Sequence, residues 1–139
     1  MNIKNQALQV VVGILKRHNA KLNRIEYLFN QRPIGINKPY EGYWEFAGGK
    51  VEENETHTEA LIRELKEELD IEINANHIMY FTNITHDYAH AKVELHFYTV
   101  NIWQGEPKGI EGQNLLWSTK DSYPTPILPS LDYLIPKLI

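Results

Sequence analysis

The residues of this chain that most strongly suggest chemistry are three glutamates close together in the segment 49–71. Glu64, Glu67 and Glu68 fall within five consecutive positions, and Arg63 immediately precedes them. Side chains three and four residues apart are neighbours on a helix, so a helical segment would place these carboxylates on one face. Like charges placed in this way repel each other, whereas a divalent cation would bind to all of them as ligands. The pattern therefore predicts a metal site, and its alternative is a solvated acidic helix face.

A helix is expected to begin near Thr56, because Thr56 and Glu59 have the spacing of a capping box. The apolar residues of the segment collect on a separate face, roughly 120° from the carboxylates. They are Leu61, Ile62, Leu65 and Leu69. A glycine-rich stretch, residues 47–50, leads into this segment. We therefore expect a loop followed by a helix with one core face and one acidic face.

The rest of the chain is predicted to consist mostly of strands. Runs of β-branched and aromatic residues, several of them alternating, are bounded by turn residues. These runs span residues 6–15, 24–31, 43–46, 78–84, 93–103 and 114–118. Residues 126–139 are predicted to form a terminal helix, which Pro136 breaks or kinks in its last turn. Strands interleaved with two helices predict an α/β sandwich with a mixed sheet.

Composition narrows the class of protein. A length of 139 residues predicts one domain over 1–139, and 42% hydrophobic with 23% charged residues is ordinary for a globular protein. The absence of cysteine excludes disulfides and zinc–thiolate sites. No run approaches the roughly 18 apolar residues of a membrane span, and we expect neither a secretory signal nor membrane binding. A cytoplasmic location is the corresponding prediction.

The net charge of −4 argues against a nucleic acid polymer as partner. A small phosphorylated ligand needs only a local positive site, which a metal ion bound to clustered carboxylates provides.

The spacing within the acidic segment is more specific than its charge. Gly49 is followed after five residues by Glu55, and Glu55 after seven residues by Arg63 and the three glutamates. This pattern resembles the Nudix box, the loop-helix-loop signature of hydrolases that act on nucleoside diphosphates linked to another group. The departure is Asp70, where the family has glycine, and aspartate tolerates the left-handed conformation of a helix cap. The resemblance implies a Nudix-type α/β/α sandwich with a mixed β-sheet.

The chain also resembles the MutT branch of this family over nearly its whole length. Residues 44–50 are similar to that branch's approach to the box, except that Ala47 replaces a usual proline. Residues 31–33 resemble the segment with a substrate-contacting arginine, and residues 103–113 resemble the loop with a further metal-site glutamate, here Glu111. The resemblance implies hydrolysis of nucleoside triphosphates to monophosphate and pyrophosphate, with 8-oxo-dGTP as target. It also implies Mg²⁺ as cofactor, with Mn²⁺ as a substitute.

The same resemblance implies roles for individual residues. The implied metal ligands are the carbonyl of Gly48 and the carboxylates of Glu64, Glu67, Glu68 and Glu111. Arg63 is expected to orient Glu55 or Glu67 within the catalytic group. The general base is left open between Glu64 and Glu111, with Glu64 preferred. The candidates for substrate contact are Arg32 and Lys50 on the phosphates and Tyr88 on the base.

The identity of the base is the open question in this sequence. The MutT branch contacts the guanine edge through an asparagine of the C-terminal segment, and Leu128 fills that place here. Leucine has no hydrogen-bonding group, so discrimination is lost unless Gln113 or Asn114 compensates. Three possibilities follow: an enzyme for oxidised purine nucleotides, the same chemistry on a pyrimidine nucleotide or another nucleoside diphosphate derivative, or a nucleotide-sensing module without turnover. Either a monomer or a homodimer is compatible with the sequence.

Overall fold

The structure is a computed structural model that describes residues 7–35, 37–87 and 91–139. Seven strands and one α-helix make up its regular elements in this part of the chain. The strands are β1 Leu8–Asn19, β2 Arg24–Gln31, β3 Trp44–Glu45, β4 Ala47–Lys50, β5 Ile78–Asp87, β6 Lys92–Val100 and β7 Asn114–Ser118, and helix α1 is His57–Leu69. Three short 3₁₀ turns cover Ala75–His77, Pro129–Leu131 and Ile135–Lys137.

Strand β1 organises the sheet because its two halves pair with different neighbours. Its first half runs parallel to β6, from Leu8 opposite Val93 to Leu15 opposite Val100, and antiparallel to β4. Its second half pairs antiparallel with β2, which in turn pairs with β3 and β7, while β5 pairs antiparallel with β6. The mixed sheet predicted from the sequence is therefore confirmed.

Apolar layers cover both faces of β1. On one face the core contains Val11 and Leu15 together with the apolar side of α1. Close packing there depends on Gly13, where an added Cβ would lie 2.9 Å from Leu65 Cδ1. On the other face, Val12 and Ile14 belong to a core cluster shared with β6 and the C-terminal segment. The sheet thus separates two cores, and its β4 edge carries the loop that leads to α1.

Both ends of α1 have the expected local chemistry. Thr56 Oγ1 accepts a hydrogen bond from the Glu59 backbone N–H at 3.1 Å, and Glu59 Oε1 accepts one from the Thr56 backbone N–H at 2.9 Å. Asp70 ends the helix in the left-handed conformation, with φ 55° and ψ 40°. Its carboxylate also accepts a hydrogen bond from Lys66 Nζ at 2.8 Å. The predicted capping box and the predicted left-handed role of Asp70 are both confirmed.

The predicted terminal helix over 126–139 is wrong. Two separate 3₁₀ turns occupy this segment; the first begins at Pro129, and Pro136 is the second residue of the other. A proline lacks the backbone N–H that a continuing α-helix needs, and its ring clashes with the preceding turn. The segment still buries Leu131, Leu134 and Ile135 against the sheet. The layer opposite α1 is therefore present, but it consists of turns.

Several strand boundaries also differ from expectation: β1 continues to Asn19, β5 continues to Asp87, and β6 ends at Val100 instead of residue 103. The glycine-rich stretch 47–50, predicted as part of a loop, forms strand β4. Within the described ranges, no helix has the length and apolarity needed to cross a membrane.

Candidate active site

The acidic face of α1 lies directly against the glycines of β4. Gly48 donates its backbone N–H to Glu68 Oε2 at 3.0 Å. An added Cβ on Gly49 would lie 2.4 Å from Glu64 Cδ, far inside van der Waals contact. Only glycine allows the backbone to approach this carboxylate so closely. The two glycines therefore hold the carboxylates of Glu64 and Glu68 at the edge of the sheet.

Arg63 connects the start of the acidic segment with its centre. Its Nε and Nη2 donate to the two carboxylate oxygens of Glu55 at 2.7 and 2.9 Å, and Nη2 also donates to the Lys50 carbonyl at 2.9 Å. Its Nη1 donates to Glu64 Oε1 at 2.8 Å and to Glu67 Oε2 at 3.3 Å. The guanidinium thus orients carboxylates from the loop and from the helix at the same time.

These contacts separate the pKa values of neighbouring carboxyls. Arg63 lowers the pKa of Glu55 to about 2, mainly through its hydrogen bonds. Burial raises the pKa of Glu64, and the hydrogen bond from Arg63 opposes that rise. Burial, followed by the nearby charges of Glu64 and Glu111, raises the pKa of Glu68 to about 8. Without a bound cation, the surroundings of Glu64 and Glu68 therefore disfavour the ionised carboxylates, although Gly48 donates a hydrogen bond to Glu68.

The loop after β6 brings Glu111 to the same place. Three hydrogen bonds attach this loop to the end of α1. Gln113 Nε2 and the Ile110 backbone N–H both donate to the Glu68 carbonyl, at 3.0 and 3.2 Å, and the Lys108 backbone N–H donates to the Leu69 carbonyl at 2.9 Å. The other end of the buried Gln113 amide accepts the Glu111 backbone N–H at 2.8 Å. Glu111 and Glu68 both border a small hollow of about 90 Å³. Gln113 is an anchor of this loop, a role that its side-chain type alone did not predict.

A larger cavity of about 370 Å³ opens beside the carboxylates. One part of its wall is apolar, with side chains from β1, β6 and the C-terminal segment, including Leu128. The other part includes Gly48, Gly49, Lys50 and Glu68. The predicted phosphate-contact residue Lys50 and the predicted base-contact position Leu128 therefore line the same cavity. Tyr88, the predicted stacking residue, lies outside the described residues.

Glu45 belongs to the site, and the sequence reasoning missed it. Its carboxylate accepts two hydrogen bonds from the guanidinium of Arg32, Nε to Oε2 at 2.9 Å and Nη2 to Oε1 at 3.1 Å. Both residues line the large cavity and the small hollow. The available signal was a single acidic residue in the otherwise apolar run from Tyr43 to Phe46.

The donor set suits a hard divalent cation. Mg²⁺ prefers carboxylate, carbonyl and amide oxygens and keeps several waters. The hollow offers such oxygens from Glu68 and Glu111, and the buried Asn30 Oδ1 at its wall has no hydrogen-bond donor within the described ranges. No three acidic or histidine side chains there are already close enough to form a ready ligand set.

Comparison with known proteins identifies the family of this fold and site. The family model of the NUDIX domain matches residues 7–137. The chain is 34% identical over 110 residues to the 8-oxo-dGTP diphosphatase of Escherichia coli K12, covering 79% of this chain and 78% of that protein. It is 33% identical over 124 residues to the CTP pyrophosphohydrolase of the same organism, covering 88% and 84%.

A solved structure agrees with the sequence relatives. The solution structure of the E. coli ORF135 protein superimposes with a TM-score of 0.76 at 31% identity, covering 95% of this chain and 88% of that chain. The residues matched by the family model, 7–137, include the sheet, helix α1 with its acidic face, and the loop that carries Glu111. This chain therefore belongs to the Nudix family and is a Nudix hydrolase.

Proposed function

We propose that this protein hydrolyses nucleoside triphosphates to the monophosphate and pyrophosphate, with Mg²⁺ as the metal ion and Mn²⁺ as a substitute. The observation that carries the proposal is the position of Glu68. It lies on the acidic face of α1, borders the hollow that contains Glu111, and also lines the partly apolar cavity. A nucleotide has the matching construction, with a flat aromatic base that can stack on apolar side chains at one end and a polyphosphate at the other. Metal-binding carboxylates at the polar end are suited to the polyphosphate.

The proposed metal ligands are those that the sequence predicts: Gly48 through its carbonyl, and Glu64, Glu67, Glu68 and Glu111. When bound, a divalent ion neutralises charge on the phosphate oxygens and orients the reacting groups. Gly48 and Gly49 hold the backbone against the carboxylates, which limits the reorganisation that ion binding requires. The contacts of Arg63 keep Glu55 and Glu64 in fixed positions next to the β4 loop.

The proton of the attacking water needs a carboxylate as acceptor. Glu64 and Glu111 are the two candidates, and we prefer Glu64. Its carboxylate is only 14% exposed and is oriented by Arg63 at 2.8 Å, whereas Glu111 is exposed on its loop. Arg32 and Lys50, which line the cavity, are proposed to contact phosphates.

An oxidised purine nucleotide such as 8-oxo-dGTP is the proposed substrate, supported by the relative of that specificity and by the size of the cavity. The alternative is a pyrimidine nucleotide or another nucleoside diphosphate derivative, supported by the CTP pyrophosphohydrolase and by Leu128. Among the described residues, neither amide considered as a replacement for the missing asparagine lines the large cavity. Gln113 bonds at both ends to backbone groups, and Asn114 donates to Gln31 Oε1 at 2.9 Å.

A substrate panel tests the proposal. The purified protein is incubated with Mg²⁺ and 8-oxo-dGTP, dGTP, dCTP, CTP or ADP-ribose, and products are separated chromatographically. We expect monophosphate plus pyrophosphate from triphosphates, with the highest kcat/KM for 8-oxo-dGTP. Glu64→Gln should remove turnover and preserve the fold, while Glu53→Gln, which changes an exposed residue of the preceding loop, should behave as the wild type.

Other results of the substrate panel would favour a different substrate or a protein without catalytic activity. A higher kcat/KM for cytidine nucleotides would favour the alternative substrate. Tight nucleotide binding without turnover of any compound would favour a sensing module. The cytoplasmic location, the absence of a nucleic acid polymer as partner, and a monomer or homodimer remain predictions.

A further inference from the structure

The contact between Arg32 and Glu45 holds the positively charged guanidinium of Arg32 beside the acidic site. Two guanidinium nitrogens bond to two carboxylate oxygens at 2.9 and 3.1 Å, and Nη1 donates to the Pro39 carbonyl at 3.1 Å. Two-point contacts of this kind fix both the position and the plane of a guanidinium. Glu45 is 21% exposed and Arg32 34%, so the pair is only partly solvated.

The Arg32–Glu45 pair lies next to two of the proposed metal ligands. Arg32 and Glu45 border the hollow of about 90 Å³ together with Glu68 and Glu111. Glu68 lies close enough to Glu111 to feel its charge, and a guanidinium that shares the small hollow with these two carboxyl groups is attracted to them. If the Glu45 carboxylate were removed, the Arg32 guanidinium would have two other carboxyl groups in the same hollow, Glu68 and Glu111, as possible partners. Such a bond would use the lone pairs that a divalent cation needs.

We propose that Glu45 is a positioning residue that keeps the Arg32 guanidinium away from Glu68 and Glu111, so that these carboxylates stay available to the divalent cation. The inference rests on the proposed metal roles of Glu68 and Glu111. It assigns no direct metal contact to Glu45, which acts through Arg32. The same restraint keeps Arg32 at the wall of the large cavity, where it is proposed to contact a phosphate.

The test measures Mn²⁺ binding to the nucleotide-free protein by electron paramagnetic resonance, with circular dichroism to verify folding. The variants are Glu45→Gln, Arg32→Met and the double variant, and Glu53→Gln serves as a control that removes one negative charge from an exposed position. Glu45→Gln should weaken Mn²⁺ binding about tenfold or more, in the range typical for residues that orient ligands. Arg32→Met should change it by about threefold or less, because Glu45 already neutralises the guanidinium.

The double variant distinguishes the proposal from a simple effect of net charge. If the loss in Glu45→Gln comes from the released guanidinium, then removing that guanidinium restores affinity to near the wild-type value. The two substitutions are then strongly non-additive. If Glu45 contributes only its charge, the double variant shows the product of the two single effects.

Each possible outcome either supports or overturns the positioning role of Glu45. Wild-type affinity in Glu45→Gln, an additive double variant, or an equal loss in Glu53→Gln would overturn the positioning role while leaving the proposed function intact. A wild-type protein that binds no Mn²⁺ would overturn the proposed metal site together with this inference. Should Glu45→Gln fail to fold, the comparison of Arg32→Met with the double variant remains. Equal affinity in these two is expected, and a tenfold weaker double variant would refute the proposal.

Discussion

Replacing Gly49 by alanine should damage catalysis far more than stability. The new Cβ would lie 2.4 Å from Glu64 Cδ, whereas ordinary contact begins near 3.4 Å, so the carboxylate must retreat by the difference, 1.0 Å. A displacement of about 1 Å in a catalytic group costs roughly 100-fold in rate, or about 2.7 kcal/mol of transition-state stabilisation. The clash involves the end of a side chain, so the free energy of unfolding should fall by less than about 1 kcal/mol.

Gly13→Ala is the matched control, because it adds the same methyl group beside the same helix. Its Cβ would lie 2.9 Å from Leu65 Cδ1, in the core and away from the carboxylates. Overpacking of this kind costs about 1–3 kcal/mol of stability and should leave the kcat of the folded protein nearly unchanged. Pyrophosphate release gives kcat and KM, and urea unfolding gives the stability of both variants. Wild-type kcat in Gly49→Ala, or a larger loss of stability there than in Gly13→Ala, would refute the reasoning.

Three further predictions concern stability. Burial alone would raise the pKa of Glu26, but hydrogen bonds from Arg24 and Arg17 lower it below its usual value. A lowered pKa in the folded state means that the ionised group stabilises the fold above its unfolded pKa. Glu26→Gln should therefore cost about 1–2 kcal/mol at pH 7, and the difference should shrink as the pH falls from the unfolded pKa through the lowered folded pKa, measured by urea unfolding; a difference that stays constant from pH 7 to the acid limit of folding would contradict the assignment. Thr56→Ala removes one half of the capping box and should lower the free energy of unfolding by about 0.5–2 kcal/mol with little change in kcat. Thr58→Ala, two residues further along in the first turn of α1, is the control because it removes a threonine that is not the N-cap. Saturating Mg²⁺ should raise Tm, since a ligand at 100 times its Kd adds about 2.7 kcal/mol, and EDTA should remove the effect; an unchanged Tm would argue against a specific ion site.

Helix α1 shows what local sequence can predict. Its start at Thr56, its end at Asp70 and the separation of its acidic and apolar faces all depend on residues within four positions of one another. Backbone hydrogen bonding and side-chain spacing act at that range, so the pattern is readable without the fold. The same reasoning accounts for most of the strands and for the mixed sheet. It failed over residues 126–139, where apolar spacing favoured a helix and two prolines prevented it.

The functional residues likewise fall into two groups, those that the sequence predicted and those that only the fold revealed. The spacing of Gly49, Arg63 and the glutamates identified the acidic site and its family resemblance from sequence alone. The partners of these residues depended on the tertiary structure: Glu45 bonds to Arg32 only because β3 pairs with β2, and Gln113 reaches the Glu68 carbonyl from 45 residues away. The cavity proposed to receive the base combines β1, β6 and the C-terminal segment.

The chain by itself thus determined the type of chemistry, because most of the carboxylates proposed to perform it lie close together along one helix. The tertiary structure decided which charges restrain those ligands and which apolar surface adjoins them. The physical reason is that a helix periodicity is a property of neighbouring residues, whereas a hollow shared by Arg32, Glu45, Glu68 and Glu111 exists only after distant segments have packed.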